Sequence, residues 1–281
     1  MQTITEHKIF NGTQGFYQHH SSATNTPMRF SVFTPPKTSA ILYFLAGLTA
    51  NEATFAIKAG AQKVAAELGL MLVCPDTSPR NTGIENESKD WDFGTAASFY
   101  LDATQSPWAA HFQMETYITQ ELPKIIAKKW PVEGCNTGIF GHSMGGHGAL
   151  TLALRHPNLY KSASAFAPIA APTQCPWGHK AFAGYLGDDK AEWAKHDASA
   201  LMQNAITPYP KGILIDQGLA DKFLAEQQLR PELFEAACLK AKQLLTLRRH
   251  ANYDHGYYFV ATFMEDHLRF HHSCLVGWGA N

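Results

Sequence analysis

The pentapeptide Gly141-His-Ser143-Met-Gly145 directly follows an apolar run and opens a segment of helical spacing. A serine at a tight strand-to-helix turn, flanked by glycines that remove colliding Cβ atoms, projects its hydroxyl above a sheet. The start of the helix adds backbone N–H groups and a positive dipole end beside any negative charge that develops there. A hydroxyl is a weak nucleophile until an imidazole accepts its proton, and a carboxylate must hold that imidazole in one tautomer. In a strand–motif–helix setting the partners follow in the order serine, acid, histidine.

Two later segments fit that order. The run Gly212–Asp216 is followed by Gln217-Gly-Leu-Ala-Asp221, and Leu244–Leu247 is followed by Ala251-Asn-Tyr-Asp-His255-Gly. Asp221 is therefore the expected acid and His255, in a polar loop before the terminal helix, the expected base. Asp216 is the competing acid, at a strand end with a turn role of its own. Among the other histidines, His250 falls in or beside the last strand, and His267, His271 and His272 read as packing or surface residues of the terminal helix. His142 is expected to point to a different side of the turn from the serine. His147, inside the following helix, is expected to make a structural hydrogen bond. Attack on a carbonyl also needs donors for the oxyanion. The N–H of Met144 is one, and the loop Leu45-Ala-Gly47-Leu48-Thr49 supplies the other, from Leu48 or, second, Thr49.

The elements that must position these groups are legible in outline. Segments Phe16–Ser21 and Met28–Phe33 are rich in aromatic and β-branched residues, as strands are. Ile41–Leu45 and Leu70–Cys74 are continuous apolar runs, the pattern of strands covered on both faces. Between them, Phe55, Ala59, Val64 and Leu68 predict one helix over Phe55–Leu68, hence a parallel pair with a crossover. Asp76–Pro107 reads as a long irregular excursion. Tyr117, Ile118, Leu122, Ile125 and Ile126 predict a helix that Pro123 kinks or restarts. Later come a strand at Thr137–Phe140, a helix at Met144–Arg155, and strand-like residues at Tyr160–Ala167. Short helices follow at Trp177–Leu186 and at Asp197–Asn204, with Asp197 as N-cap, then helices at Pro231–Lys242 and Tyr257–His271. The alternation predicts an α/β fold with a mostly parallel central sheet flanked by helices, and 1–281 as a single domain.

Composition narrows the function further. The chain has 281 residues, 45% hydrophobic and only 17% charged, which favours a large interior over disorder. Its 23 basic and 24 acidic residues leave a net charge of −1, so no net field attracts nucleic acid or an anionic membrane. The longest charge-free apolar stretch, Ala40–Ala50, is too short to span a bilayer. Met1–Gly15 lacks the pattern of a secretory signal, and five scattered cysteines with no Cys-x-x-Cys suggest neither a disulfide framework nor a zinc clip. The expectation is a cytoplasmic protein without a bound metal.

At this point the residues resemble a known family, the S-formylglutathione hydrolases, or esterase D family, of the α/β-hydrolase superfamily. The resemblance rests on Leu45-Ala-Gly-Leu-Thr49, Pro75-Asp-Thr-Ser-Pro-Arg80, Trp91-Asp-Phe-Gly94, Phe140-Gly-His-Ser-Met-Gly-Gly-His-Gly148, Cys175-Pro-Trp-Gly178, Leu214-Ile-Asp-Gln-Gly218 with Asp221, and Tyr253-Asp-His255. It implies an α/β-hydrolase fold and Ser143, Asp221 and His255 as the triad, with Leu48 and Met144 as oxyanion donors. The implied reaction is hydrolysis of the glutathione thioester S-formylglutathione to glutathione and formate, with side activity on short-chain carboxylesters and no cofactor. A homodimer is what the resemblance suggests. Rival readings are a general short-chain carboxylesterase with no glutathione role and an acyltransferase on the same scaffold. A formyl group is small, so the acyl pocket should be tight, and Trp91, Phe93 and Trp177 are candidates for its wall. One departure stands out. The family loop usually reads Leu-Ser-Gly-Leu-Thr-Cys, whereas here Ala46 and Ala50 replace the serine and the cysteine. Mercurials or copper should therefore inhibit only weakly.

Overall fold

The computed structural model describes residues 1–205 and 209–276. Among them, nine strands form one sheet in the order β1-β2-β3-β5-β4-β6-β7-β8-β9. These are β1 (Gln2–Ile9), β2 (Gly12–His20), β3 (Pro27–Thr34), β4 (Ala40–Leu45), β5 (Leu70–Pro75), β6 (Asn136–His142), β7 (Ser162–Phe166), β8 (Ile213–Gly218) and β9 (Leu245–His250). The first three strands are antiparallel, and every pairing from β5 through β4 and β6 to β9 is parallel. Residues of β4, β5, β7 and β8 are buried throughout, which explains the unbroken apolar sequence of β4 and β5. β1 is an unanticipated element. It lies at the sheet edge with most residues exposed, so it carries no apolar alternation for a sequence pattern to reveal.

The helices follow the expected alternation with informative exceptions. The single helix expected over Phe55–Leu68 is two, α1 (Glu52–Lys58) and α2 (Gln62–Leu68). Gly60 between them adopts φ +66, a left-handed conformation that ends a helix, while apolar spacing carries on across the break. α1 also begins earlier than expected, because Asn51 and Thr54 form a reciprocal cap. Asp76–Pro107 contains no helix or strand, only isolated bridges. After it come α3 (Met114–Thr116), a π-turn at Tyr117–Glu121, and α4 (Leu122–Lys129). Pro123 lacks the N–H that an unbroken α-ladder would need, and the wider turn just before it absorbs that loss.

The second half runs α5 (Met144–Arg155), α6 (Pro176–Leu186), α7 (Lys190–Ala194), α8 (Ala198–Gln203), α9 (Lys222–Ala225), α10 (Pro231–Ala241) and α11 (Tyr257–Leu275). Asp197 caps α8 by accepting from Ala200 N–H at 2.9 Å, as expected. The one-turn α7 and α9 carry too little periodicity to be predicted. An aromatic stack of Phe44 on Phe55 (3.9 Å between centroids), with Phe140 edge-on to Phe44 at 4.9 Å, packs α1 onto β4 and β6 beneath the carboxyl end of the sheet. Truncating Phe55 to alanine would cost about 3–5 kcal/mol, the usual loss for a buried aromatic.

Candidate active site

The strand β6 ends at His142 and α5 begins at Met144, leaving Ser143 alone in the turn at φ 59, ψ −119. Such a backbone costs on the order of 1–3 kcal/mol and persists only where its surroundings hold it. Here Ser143 N–H donates to Phe166 O at 2.9 Å, and Ser143 O accepts from His147 N–H at 3.0 Å and Ile169 N–H at 3.2 Å. The flanking glycines are obligatory. A Cβ on Gly141 would lie 2.2 Å from Gly145 O, and one on Gly145 would lie 1.9 Å from Leu45 O. The end of β4 and the turn after β6 thus touch backbone to backbone, which brings the Leu45–Thr49 loop to Ser143.

The expected acid and base lie in the loops after β8 and β9, at the same end of these parallel strands as Ser143. Asp221 is buried and caps α9, its Oδ1 accepting from Phe223 N–H at 2.8 Å. Its Oδ2 accepts from His255 Nδ1–H at 2.5 Å and from the Gln217 side-chain amide at 3.2 Å. A carboxylate only accepts, so the shared proton sits on His255 Nδ1 and leaves the lone pair on Nε2. The loop carrying His255 is pinned to the end of β8 by Ala220 N–H to Tyr253 O and Leu219 N–H to His250 O, both 2.9 Å. Gly218 permits this contact, since a Cβ there would lie 2.4 Å from Tyr253 O.

Ser143 and His255 line one cavity of about 340 Å³. Among the described residues the Ser143 hydroxyl has no hydrogen-bond partner, and in a site without substrate such a serine–imidazole bond is often long or unformed. Leu48 lines the same cavity. Met144 is the first residue of α5, so its N–H has no intrahelical acceptor. Thr49 N–H is already donated to Ala96 O at 3.1 Å, which removes the second-choice donor and leaves Leu48. Tyr100 braces the loop by donating its hydroxyl to Ala46 O at 2.8 Å.

Trp91 and Trp177 also line the cavity, edge to face at 5.5 Å, whereas Phe93 does not. Phe93 stacks on Tyr185 at 4.6 Å and meets Trp108 edge-on at 4.8 Å, so its expected place in the pocket wall is corrected to one in the aromatic packing behind it. His142 requires the opposite correction. It lines the cavity, with its ring 4.5 Å from that of His255. Burial and the neighbouring His255 hold it well below the ordinary histidine range, so it stays neutral there. His147 takes the expected structural role, its Nε2 lying 3.1 Å from Phe99 O, and burial lowers it to about 3.

Asp216 lies away from the cavity and serves no turn. It is fully buried, bound by Arg248 Nε at 2.6 Å and Nη2 at 2.5 Å, by His250 at 3.1 Å and by His267 at 3.3 Å. Among the described residues no cluster of three or more His, Cys, Asp or Glu side chains could hold a metal, and no helix is long and apolar enough to cross a membrane. No cysteine lines the cavity, and burial raises all five thiols above their ordinary range, with Cys175 pushed up to about 11 and Cys238 to about 12.

Comparison with known proteins adds to this geometry. The family described as "Putative esterase" matches residues 21–270. The chain is 47% identical to the S-formylglutathione hydrolase of Paracoccus denitrificans, with 96% of each chain covered. It is 46% identical to that of Mus musculus, covering 96% of this chain and 97% of the other. Among solved structures, an S-formylglutathione hydrolase from Agrobacterium tumefaciens superposes with a TM-score of 0.94 at 45% identity, covering 98% of this chain and all of that one.

Proposed function

We propose a function from one premise: the chain belongs to the esterase family that includes the S-formylglutathione hydrolases. It is a serine hydrolase that cleaves the thioester S-formylglutathione to glutathione and formate, with side activity on short-chain carboxylesters.

Ser143 acts as the nucleophile. As its oxygen attacks the formyl carbonyl, its proton passes to Nε2 of His255, whose other nitrogen is held by Asp221. The oxyanion is met by the N–H groups of Met144 and Leu48. A donor of this kind typically contributes about 10²–10³ in turnover. The carbon–sulfur bond then breaks. A thiol has a pKa of about 8.5, far below that of an alcohol, so sulfur departs readily and takes up the proton from His255 as glutathione leaves. Water attacks the formyl-enzyme along the reverse path, with His255 as base, and formate departs from Ser143. No step calls for a cofactor, because the carbonyl is already electrophilic.

The observation that carries this reading is the Asp221–His255 pair at 2.5 Å opening onto the same cavity as a serine held at φ 59. The test is steady-state kinetics on S-formylglutathione for the native chain and for Ser143→Ala. The variant should retain less than about a thousandth of kcat, since only binding and the oxyanion site remain. A variant with near-native turnover would remove Ser143 from the mechanism. A narrow acyl pocket walled by Trp91 and Trp177 further implies that activity on p-nitrophenyl esters falls steeply beyond a few acyl carbons, and a flat profile would contradict it. The reading places the enzyme in the cytoplasm as a homodimer, and sedimentation equilibrium on the purified chain tests the assembly.

A further inference from the structure

The cavity that holds Ser143 and His255 has one cationic side chain in its wall, Lys58, and no residue lining it carries a carboxylate. Lys58 is the exposed last residue of α1. Thr54, four residues earlier and so on the same face of the helix, lines the cavity as well. The Lys58 ammonium stands 5.8 Å from the ring centroid of Tyr257, itself part of the wall, and makes no ion pair among the described residues. Lys180, near the same tryptophan rim, is arranged differently. It is clamped between Asp90 at 2.8 Å and Asp92 at 2.5 Å, the two residues flanking Trp91, so its charge is spent on the rim itself. The acid–base machinery has no use for Lys58, because Asp221 already serves His255.

We propose that Lys58 is a specificity residue that takes a carboxylate of the thiol half of the substrate. The proposal rests on the reading of the enzyme as a glutathione thioester hydrolase. Glutathione carries two carboxylates, and a simple acetate ester carries none in its leaving group. An unpaired ammonium at the cavity wall therefore distinguishes the two substrates where the acyl pocket cannot, since the acyl groups are nearly alike. The contact forms on binding and persists through attack, so it acts on KM more than on kcat. Its position is partly solvated, which limits its effect and makes it sensitive to salt.

The experiment measures kcat and KM of the native enzyme, Lys58→Met, Lys58→Glu and Lys58→Arg on three substrates: S-formylglutathione, the same thioester with both glutathione carboxylates esterified, and p-nitrophenyl acetate. Methionine retains an apolar stem along Tyr257, so packing is preserved. Lys58→Met should raise KM for S-formylglutathione about five- to tenfold, the scale of one charge-assisted contact at a partly exposed site, and Lys58→Glu should raise it further. Lys58→Arg should restore most of the native KM. The preference for the free-acid thioester over its esterified form should collapse in the methionine variant, and the rise of native KM with salt should flatten. A native enzyme that favours S-formylglutathione and keeps that preference in Lys58→Met overturns the assignment of Lys58 alone. A native enzyme with no preference for S-formylglutathione over p-nitrophenyl acetate overturns the underlying reading of the substrate.

Discussion

Asp216 and Asp221 leave the same strand within one turn of chain, both are buried, and both hydrogen-bond a histidine, yet only one of these pairs can do chemistry. The difference lies in what surrounds each charge. Burial alone would push the Asp216 carboxyl upward, but hydrogen bonds from His267, Arg248 and His250 outweigh it and hold the group well below the usual carboxylate range. Its oxygens are saturated, and its charge is cancelled by the guanidinium of Arg248, which lies directly opposite it in the β8–β9 register. Asp221 has no cationic partner among the described residues, only a backbone N–H, a side-chain amide and the imidazole of His255. Its charge therefore remains available to stabilise an imidazolium as one forms.

The histidines differ in the same way. Because Asp216 can only accept, His267 must donate from Nε2, so its Nδ1 accepts from the Ser164 hydroxyl at 2.8 Å. Ser164 Oγ then accepts from His271 Nε2–H at 2.8 Å, and His271 Nδ1 accepts from Ser162 at 2.6 Å. Every tautomer in this chain is fixed, and every imidazole lone pair is consumed. The result is a polar pin fastening α11 to β7 and β8. His255 has a carboxylate of its own, Asp221, on one nitrogen and an open cavity at the other. A base needs that vacancy.

The largest effect expected from this contrast concerns Asp221. Asp221→Ala should lower kcat on S-formylglutathione by about 10⁴, roughly 5.5 kcal/mol of transition-state stabilisation. Its cost to folding should be near that of a lost helix cap, about 1 kcal/mol. Kinetics beside urea denaturation would show both. An Asp221→Ala chain that is fully active, or one that fails to fold, would dissolve the distinction between the two pairs.

Next in size is the converse. Asp216→Ala strips the carboxylate from Arg248, His250 and His267, and breaking a buried ion pair in this way typically costs about 3–5 kcal/mol. The folded fraction should keep kcat within a few-fold of native. A stable Asp216→Ala enzyme with catalysis reduced a thousandfold would mean that the buried network, rather than the rim pair, sets the chemistry.

The contrast also explains which features the sequence reveals. The Gly-x-Ser-x-Gly turn is local, so its five residues specify the strand before it, the helix after it and the strained serine between. Asp221 and His255 are recognisable because the connectivity of an α/β sheet delivers the loops after β8 and β9 to one end. The partners of Asp216 are not recognisable in this way. Arg248 and His250 come from β9 and His267 from α11, and only the strand register and the helix docking bring them together. His142 and Phe93 fail for a similar reason. The elbow fixes the backbone at position 142, but the direction of its side chain depends on the packing of Tyr257 and His255 around it. Phe93 sits two residues from Trp91, and nothing in their types says that one faces the cavity and the other Tyr185. Gly60 marked the break between α1 and α2, but apolar spacing alone passes over it.

The smallest effect is a slope, and it separates the two pairs by pH. Burial holds His267 below the ordinary histidine value and His271 well below it, so each takes up a proton less readily in the folded chain than in the unfolded one. The unfolded chain binds a proton at each near pH 6.5. Below that pH the unfolded state therefore holds more protons than the native one, and stability falls as pH falls, by about 1.4 kcal/mol per pH unit for a histidine held as far down as His271. Asp216 works in a separate window. Its folded pKa is depressed, so its contribution is complete above the unfolded value of about 3.9 and disappears only as pH drops further. Urea midpoints measured between pH 7.5 and 5 should thus decline before Asp216 titrates. His271→Asn, which removes one neutral imidazole from the pin, should make that decline shallower by about 1.4 kcal/mol per pH unit while lowering stability at pH 7.5. Equal slopes for the two chains would mean that His271 is protonated inside the fold. The chain of fixed tautomers from Asp216 to Ser162 would then be wrong, because His271 Nδ1 would donate to Ser162 rather than accept from it.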